Sequence, residues 1–139
     1  MTPIFPARVQ VDESGMHFVQ FLDLDEAITE GKTLEEALFN AQEVLTLTLE
    51  SRLDEGIDIP DPQDASGDQI HYIAPAARVQ AALLIHHARG DRSMADLARA
   101  LETSWPAVKR LENPHHSPTI KVLEKAATTL GKRLILSFE

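Results

Sequence analysis

The run TSWPAVKRLEN, residues 103–113, combines hydroxyl, aromatic, basic and amide side chains within the length of one short helix. Arg and Lys are the side chains that neutralise DNA phosphates, and Arg also donates paired hydrogen bonds to guanine in the major groove. Ser104 is a typical N-cap residue and Pro106 is tolerated only in a first helical turn, so the helix is expected to begin beside Ser104. This composition predicts a helix whose exposed face contacts DNA.

Other chemistries lack the residues that they need. The chain has no Cys, which excludes disulfides, thiolate metal sites and a Cys nucleophile. His115 and His116 are adjacent, so their side chains diverge, and no third metal ligand accompanies them. Asp23, Asp25 and Glu26 fall on one short irregular stretch, whereas a metal-dependent nuclease needs several carboxylates that converge on one ion. We therefore expect no metal, no cofactor and no catalysis.

The charge is divided unevenly along the 139 residues, whose formal net charge is −9. Residues 1–74 hold 3 basic and 16 acidic residues, a net charge of −13. Residues 75–139 hold 10 basic and 6 acidic residues, a net charge of +4. Because such an acidic half repels DNA, the two halves are expected to be separate domains with different partners.

The first half, residues 1–74, predicts a small sheet covered by one long helix. Alternating apolar residues indicate strands, and the turn sequence DESG favours a hairpin between the first two. The strands are expected at residues 5–11, 16–21, 27–30 and 69–74. Thr33 and Glu36 form a capping box ahead of a helix that Gly56 is placed to end, and residues 57–68 form an irregular surface connection. The expected order is βββαβ.

The second half, residues 75–139, predicts helices. The first is expected from Pro75 to about Arg89. Ser93 and Ser104 cap the next two helices, and a last amphipathic helix ends before Gly131.

The segment RLILSF, residues 133–138, is expected as a strand. A lone strand on a helical domain has unpaired edges, so we expect it to pair with its copy in a homodimer or higher homo-oligomer. The alternative is a tail folded on its own domain. The expected fold class is therefore α+β, a βββαβ domain followed by an all-α domain with a C-terminal strand.

The segment SMADLARALETSWPAVKRLENPHHSPTIKVLEKAATTLG resembles the Xre/Cro-repressor family, with specific matches at DLARAL, VKRLEN and TIKVLEKAATTLG. The resemblance implies a helix-turn-helix whose second helix enters the major groove of double-stranded operator DNA. It implies that Trp105 and Pro106 meet base edges and that Arg110 contacts guanine. The residues implied at phosphates and on the flanks of that helix are Ser93, Ser104, Lys109, Asn113, His115 and His116.

Two residues depart from that family's pattern. Glu102 stands in the turn where Gly is common, which predicts either backbone strain at that residue or a different turn. Met94 stands where a polar phosphate contact is frequent, which predicts weaker affinity. Dimerisation, which places two such helices one DNA turn apart, would compensate for the modest charge of +4.

The stretch GKTLEEALFNAQEVL after FLDLDEAITE resembles the N-terminal domain of HicB antitoxins, which carry a similar G-x-T-x-E-E-A-x-x-N-A pattern. The matching residues are Gly31, Thr33, Glu35, Glu36, Ala37, Asn40 and Ala41. Asp25, Glu26 and Ala27 stand where many members have a Pro-Gly-Cys-like turn. The resemblance implies a degenerate ribonuclease-H-like domain, which some members join to an Xre-type helix-turn-helix and a terminal strand.

The implied function is that of a type II antitoxin. The acidic domain binds and blocks HicA, a small basic ribonuclease that cuts mRNA, and the helical domain represses its own operon. Charge complementarity would mainly speed association and select the partner. Asp23, Asp25, Glu26 and Glu30 surround the short third strand and are the expected toxin contacts.

A stand-alone repressor whose N-terminal domain senses a small ligand is the alternative function. The chain has no apolar run long enough to span a membrane, and its N-terminus MTPIFPARVQ lacks the pattern of a secretory signal. Either function therefore predicts a cytoplasmic protein, associated with the nucleoid when it is bound to its operator.

Overall fold

The computed structural model describes residues 1–139, which form one antiparallel sheet and five helices. The elements follow in the order β1 Phe5–Val11, β2 His17–Phe21, β3 Ile28–Gly31, α1 Leu34–Glu55, β4 Ile70–Ile73, α2 Ala77–Arg89, α3 Met94–Ala100, α4 Trp105–Leu111 and α5 Ile120–Thr129. The α+β class and the βββαβ order of the first half are confirmed. The chain divides into two compact units, Met1–Gln80 and Ala81–Glu139, and the division falls inside α2.

The sheet of the first unit has the order β3-β2-β1-β4, with every neighbouring pair antiparallel. Its register sets Ala7 opposite Phe21 and Val9 opposite Val19, and all four side chains are buried on the face that α1 covers. The fully buried side chains of the helix lie four positions apart, on one stripe: Ala37, Ala41, Leu45 and Leu49. The core of this unit therefore lies between α1 and one face of the sheet.

Local signals set the ends of these elements. Asp12 Oδ1 accepts two backbone N–H groups of the β1–β2 turn, each at 2.9 Å. Thr33 Oγ1 accepts the Glu36 N–H at 3.1 Å, which satisfies one unpaired donor at the start of α1. The same helix ends at Gly56, whose φ of 68° lies in the left-handed region that favours glycine.

The second unit packs its helices around an apolar cluster. The buried members of that cluster are Ile85, Leu97, Ala98, Leu101, Val108, Leu111, Ala126 and Leu130. Each of α3, α4 and α5 begins at a hydroxyl residue whose side chain accepts a backbone N–H three positions on: Ser93, Ser104 and Thr119. The caps set the residues at which the helices begin. Helices α3 and α4 contact each other and are joined by the short connection at residues 101–104.

The expected strand at residues 133–138 is absent from the single chain. No regular structure follows α5, and Ile135, Leu136 and Phe138 are exposed. A strand is defined by hydrogen bonds to a neighbouring strand, and all four strands of this chain lie in the sheet of the first unit. Because the neighbour expected for residues 133–138 is a second copy of the chain, this strand stays a prediction.

Candidate functional site

The junction of β3 and α1 contains the glycine-to-alanine motif that begins at Gly31. A Cβ at Gly31 would lie 2.4 Å from Ala37 N and 2.7 Å from Ala37 Cα, so only glycine allows the strand to approach the helix this closely. Asn40 Nδ2 donates a hydrogen bond to the Glu30 carbonyl at 2.9 Å. Ala37 and Ala41 are fully buried. Gly31, Ala37, Asn40 and Ala41 therefore build the domain, whereas Glu35 and Glu36 of the same motif are exposed.

The bond from Asn40 also lies at an edge of the sheet. β3 is the outer strand beside β2, and an outer strand has backbone groups without a partner. The Glu30 carbonyl accepts the bond from Asn40, so one backbone acceptor of this outer strand has a partner within the domain.

Two of the four acidic residues expected to bind the toxin make contacts within the first unit. Asp23 accepts hydrogen bonds from Gln63, at 2.8 Å from Nε2 and 3.2 Å from the backbone N–H. Glu26 accepts two hydrogen bonds from the Arg52 guanidinium, both at 2.8 Å. The bond from Arg52 holds the pKa of the Glu26 carboxyl below its ordinary value. These two carboxylates connect the β2–β3 loop to the acidic connection and to α1.

The other two acidic candidates are exposed. Asp25 lies in the β2–β3 loop, and Glu30 lies on β3 directly opposite Phe18 of β2. Strand alternation places the Glu30 and Phe18 side chains on the face of the sheet that α1 leaves uncovered. Glu26 is exposed as well, but Arg52 holds its carboxylate, and Asp23 is held by Gln63, so Glu30 and Asp25 are better placed to meet a partner.

The outward face of α4 carries the residues expected to meet DNA bases. Val108 and Leu111 are buried, whereas Trp105, Pro106 and Arg110 are exposed, together with Lys109. Lys109 Nζ lies 5.1 Å from the centre of the Trp105 ring, a cation–π contact. The helix thus presents an aromatic ring and two cations to solvent.

The flanking candidates lie at helix ends and in one loop. The Ser93 hydroxyl accepts the Asp96 N–H at 3.0 Å and the Ser104 hydroxyl accepts the Ala107 N–H at 3.3 Å. Each hydroxyl can still donate its own proton to a phosphate.

The loop after α4 is shaped by Asn113. Its Oδ1 accepts the His115 N–H at 2.9 Å, and its carbonyl accepts the His116 N–H at 3.1 Å. Asn113 therefore sets the loop conformation, and both His side chains are exposed.

A groove of about 270 Å³ adjoins α4 in the second unit. Three basic residues line it, namely Arg110, His116 and Lys125, over an apolar floor that includes Leu101 and Leu111. Sequence reasoning selected Arg110 and His116 and missed Lys125. The position of Lys125 on the expected last helix did not indicate that its side chain would line the same groove as Arg110.

Glu112, also missed from the sequence, ties the end of α4 to α2. Its side chain is 8% exposed and accepts Arg89 Nε at 2.5 Å, while His86 Nδ1 lies 2.8 Å from its other oxygen. Burial raises the pKa of Glu112, but the hydrogen bonds from His86 and Arg89 outweigh it and hold that pKa below its ordinary value. This cluster holds the C-terminal end of α4 against α2.

The turn between α3 and α4 contains Glu102 with a φ of 52°, the one non-glycine residue at positive φ. The Thr103 N–H bonds to the Ala98 carbonyl at 3.0 Å and closes the turn. Only glycine adopts this backbone region without cost, so the strain expected from the missing glycine is present.

No three His, Asp or Glu side chains are grouped so that they could hold a metal ion. None of the helices has the length and apolar character needed to cross a membrane.

Comparison with known proteins finds antitoxins. A family model described as a HicB-like antitoxin of bacterial toxin-antitoxin systems matches residues 4–79. Antitoxin HicB 2 of Photorhabdus laumondii subsp. laumondii is 32% identical over 132 residues, covering 95% of this chain and 94% of that protein. Antitoxin HicB 1 of the same organism is 31% identical over 137 residues, covering 97% of this chain and 86% of that protein. Antitoxin HicB of Escherichia coli (strain K12) is 28% identical over 134 residues, covering 95% of this chain and 96% of that protein.

These relatives and the matched model define a class, the antitoxins of bacterial toxin–antitoxin systems. This chain belongs to the HicB-like antitoxin family. An antitoxin implies a toxin as its partner.

Proposed function

We propose that this chain is the antitoxin of a HicAB pair and acts by binding, without catalysis of its own. The first unit binds and blocks a small basic HicA-like ribonuclease, and the second unit is an Xre-type helix-turn-helix that represses the operon in the cytoplasm. The observation that carries the proposal is the division of charge, −13 over residues 1–74 and +4 over residues 75–139, in a chain that matches HicB antitoxins along nearly its whole length.

On the toxin side, the proposed role of the acidic unit is to cover the surface with which the ribonuclease holds RNA. That surface must be cationic because its substrate is a polyanion. Exposed carboxylates such as Glu30 and Asp25 supply complementary charge. Apolar contacts supply much of the affinity.

On the DNA side, the proposed reading helix is α4. Arg110 is assigned to guanine, Trp105 and Pro106 to base edges, and Lys109 to a phosphate beside the ring on which it rests. Hydroxyls at Ser93 and Ser104, and the loop from Asn113, support the phosphate contacts.

The proposed assembly is a homodimer or higher homo-oligomer made through the C-terminal segment. Ile135, Leu136 and Phe138 are exposed in the single chain. Consecutive exposed apolar residues favour burial against another surface. A dimer places two copies of α4 on successive turns of an operator.

The first experiment is co-purification of the tagged full-length chain from its source cells at low salt, with mass spectrometry and an assay of the released partner. A stoichiometric basic protein of well under 100 residues that cleaves mRNA, and whose cleavage the added chain stops, is expected. Absence of a bound protein, with release from operator DNA by a metabolite, would favour the ligand-sensing repressor instead.

The operator side is tested with the DNA upstream of the chain's own gene. Arg110→Gln is expected to cost about 1–3 kcal/mol of operator binding and to relax sequence preference at one position. Lys109→Gln is expected to weaken specific and non-specific binding alike and to reduce the salt slope by about 1. The control is Lys132→Gln, an exposed cation beyond α5. An equal loss in the Lys132→Gln control would contradict the assignment of α4 to the DNA interface.

A further inference from the structure

The face of the sheet that α1 leaves uncovered carries two exposed apolar side chains on neighbouring strands. Phe18 of β2 is 44% exposed and Ile28 of β3 is 56% exposed. The register sets Phe18 opposite Glu30 and Gln20 opposite Ile28, so the two apolar residues are diagonal neighbours on one face. Diagonal neighbours lie about 7–8 Å apart, within reach of an aromatic ring. They form one apolar patch.

Acidic side chains adjoin this patch. Glu30 is the direct cross-strand neighbour of Phe18, and the loop that precedes Ile28 carries Asp25. Arg8, the basic residue on this face, lies one strand further, opposite Gln20. The surroundings of the patch on the β3 side are therefore negative.

The outer side of α1 offers a less suitable surface. Phe39 and Leu47 are 60% and 63% exposed, but they lie two helical turns apart, about 12 Å along the axis. Glu43, which is exposed, lies between them in the sequence and on the same side of the helix. Single exposed apolar residues are ordinary on protein surfaces, whereas adjacent ones favour a partner.

We propose that Phe18 and Ile28 form the apolar centre of the toxin-binding surface, with Glu30 and Asp25 as its charged border, an inference that rests on the proposed function. The occupant is a small protein with a cationic surface that surrounds an apolar depression. A second copy of this chain is disfavoured here, since two units with a net charge of −13 over residues 1–74 repel each other. Affinity comes from the patch, and the carboxylates set orientation and rate.

The test uses the full-length chain and the HicA-like toxin encoded with it, co-expressed, separated in denaturant and refolded. Affinity is measured by biolayer interferometry for the wild type and for Phe18→Thr combined with Ile28→Thr, which keeps residues suited to strands. The matched control is Phe39→Gln combined with Leu47→Gln, which removes a more exposed aromatic and aliphatic pair from α1. Thermal unfolding checks that each variant is folded.

We expect at least a tenfold loss of affinity for the sheet variant, mainly through faster dissociation, and less than a threefold loss for the control. If the double variant is unfolded, Ile28→Thr alone, on the edge strand, is expected to lose at least threefold. A smaller loss, or an equal loss in the control, overturns the inference while the proposed function stands. Failure of the wild type to bind this toxin would overturn both.

Discussion

Glu102 holds a backbone conformation that costs a residue with a Cβ about 1 kcal/mol or more relative to glycine. Glu102→Gly is therefore expected to stabilise the second unit by about 1 kcal/mol. Trp105, the single Trp of the chain, reports on this unit, so urea unfolding followed by its fluorescence is the measurement. Ala95→Gly, at an exposed site in α3, is the opposing control and should destabilise by about 0.5–1 kcal/mol. A destabilised Glu102→Gly variant would contradict the argument.

Glu112 neutralises a partly buried guanidinium, so its removal leaves a charge without a partner. Glu112→Ala is expected to destabilise the second unit by about 3 kcal/mol, since Arg89 is then left uncompensated. Asp96→Ala is the control, because that carboxylate is exposed and pairs with Arg99 on the surface. The control loses an exposed pair and a contact with Ser93 at the start of α3, and its loss of stability should be clearly smaller than that of Glu112→Ala. Equal losses would mean that burial of Glu112 adds nothing.

The lowered pKa of Glu112 also gives a pH dependence. Because the pKa is lower in the folded state, the contribution of this group is fully present above the ordinary value of 4.5 and is lost as pH falls through the lower folded value. Unfolding of the second unit measured from pH 6 to pH 3, again by Trp105 fluorescence, should therefore lose stability faster with falling pH in the wild type than in Glu112→Gln. Parallel curves would show that another carboxylate controls the acid transition.

The positions of some candidate residues could be predicted from the sequence, and the positions of others could not. Exposed positions on α4, such as Trp105 and Arg110, follow from the helical period once the buried positions are assigned. Glu112 and Lys125 gain their places only when separate helices pack, and no local pattern encodes that packing. The pairing of Glu26 with Arg52 depends in the same way on a contact between positions 26 residues apart.

At the scale of the elements, the close approach of β3 and α1 depends on one glycine. Gly31→Ala is expected to destabilise the first unit by about 3 kcal/mol, because the added Cβ meets backbone atoms of Ala37 that cannot move aside. Urea unfolding followed by circular dichroism, together with loss of toxin binding, is the measurement. The control is Gly15→Ala, which has open space but a φ of 86° and should cost about 1 kcal/mol. Equal costs would show that crowding at Gly31 is relieved by movement.

Element boundaries were predictable where a local chemical signal exists. Hydroxyl caps at Thr33, Ser93 and Ser104 and the terminal Gly56 are local signals, and the helices begin and end beside them. Residues 133–138 lack such a signal. Their alternation of apolar side chains is compatible with a strand, but a strand also needs a neighbour, and a neighbour is a property of the whole assembly.

At the scale of the whole molecule, the proposed function makes the acidic half weaken DNA binding by the basic half through the field of its net charge. Binding of the proposed cationic toxin to the acidic half would reduce the net negative charge. Operator affinity of the complex should therefore exceed that of the free chain at low salt, and the ratio should fall as salt rises. The operator affinities of the complex and of the free chain are measured by fluorescence anisotropy from 50 to 500 mM salt. A ratio that does not change with salt would attribute the effect to contacts instead of charge.

The structural role of three motif residues, Gly31, Ala37 and Asn40, bears on cross-reactivity between related pairs. Gly31, Ala37 and Asn40 hold the domain together, so they can be identical in two antitoxins that keep separate toxins. Photorhabdus laumondii carries two relatives of this chain, named HicB 1 and HicB 2. Discrimination between the toxins of such paralogues is then expected from residues other than these three. Positions 18 and 28 can diverge without change to the core, because their side chains lie on the face of the sheet that α1 leaves uncovered.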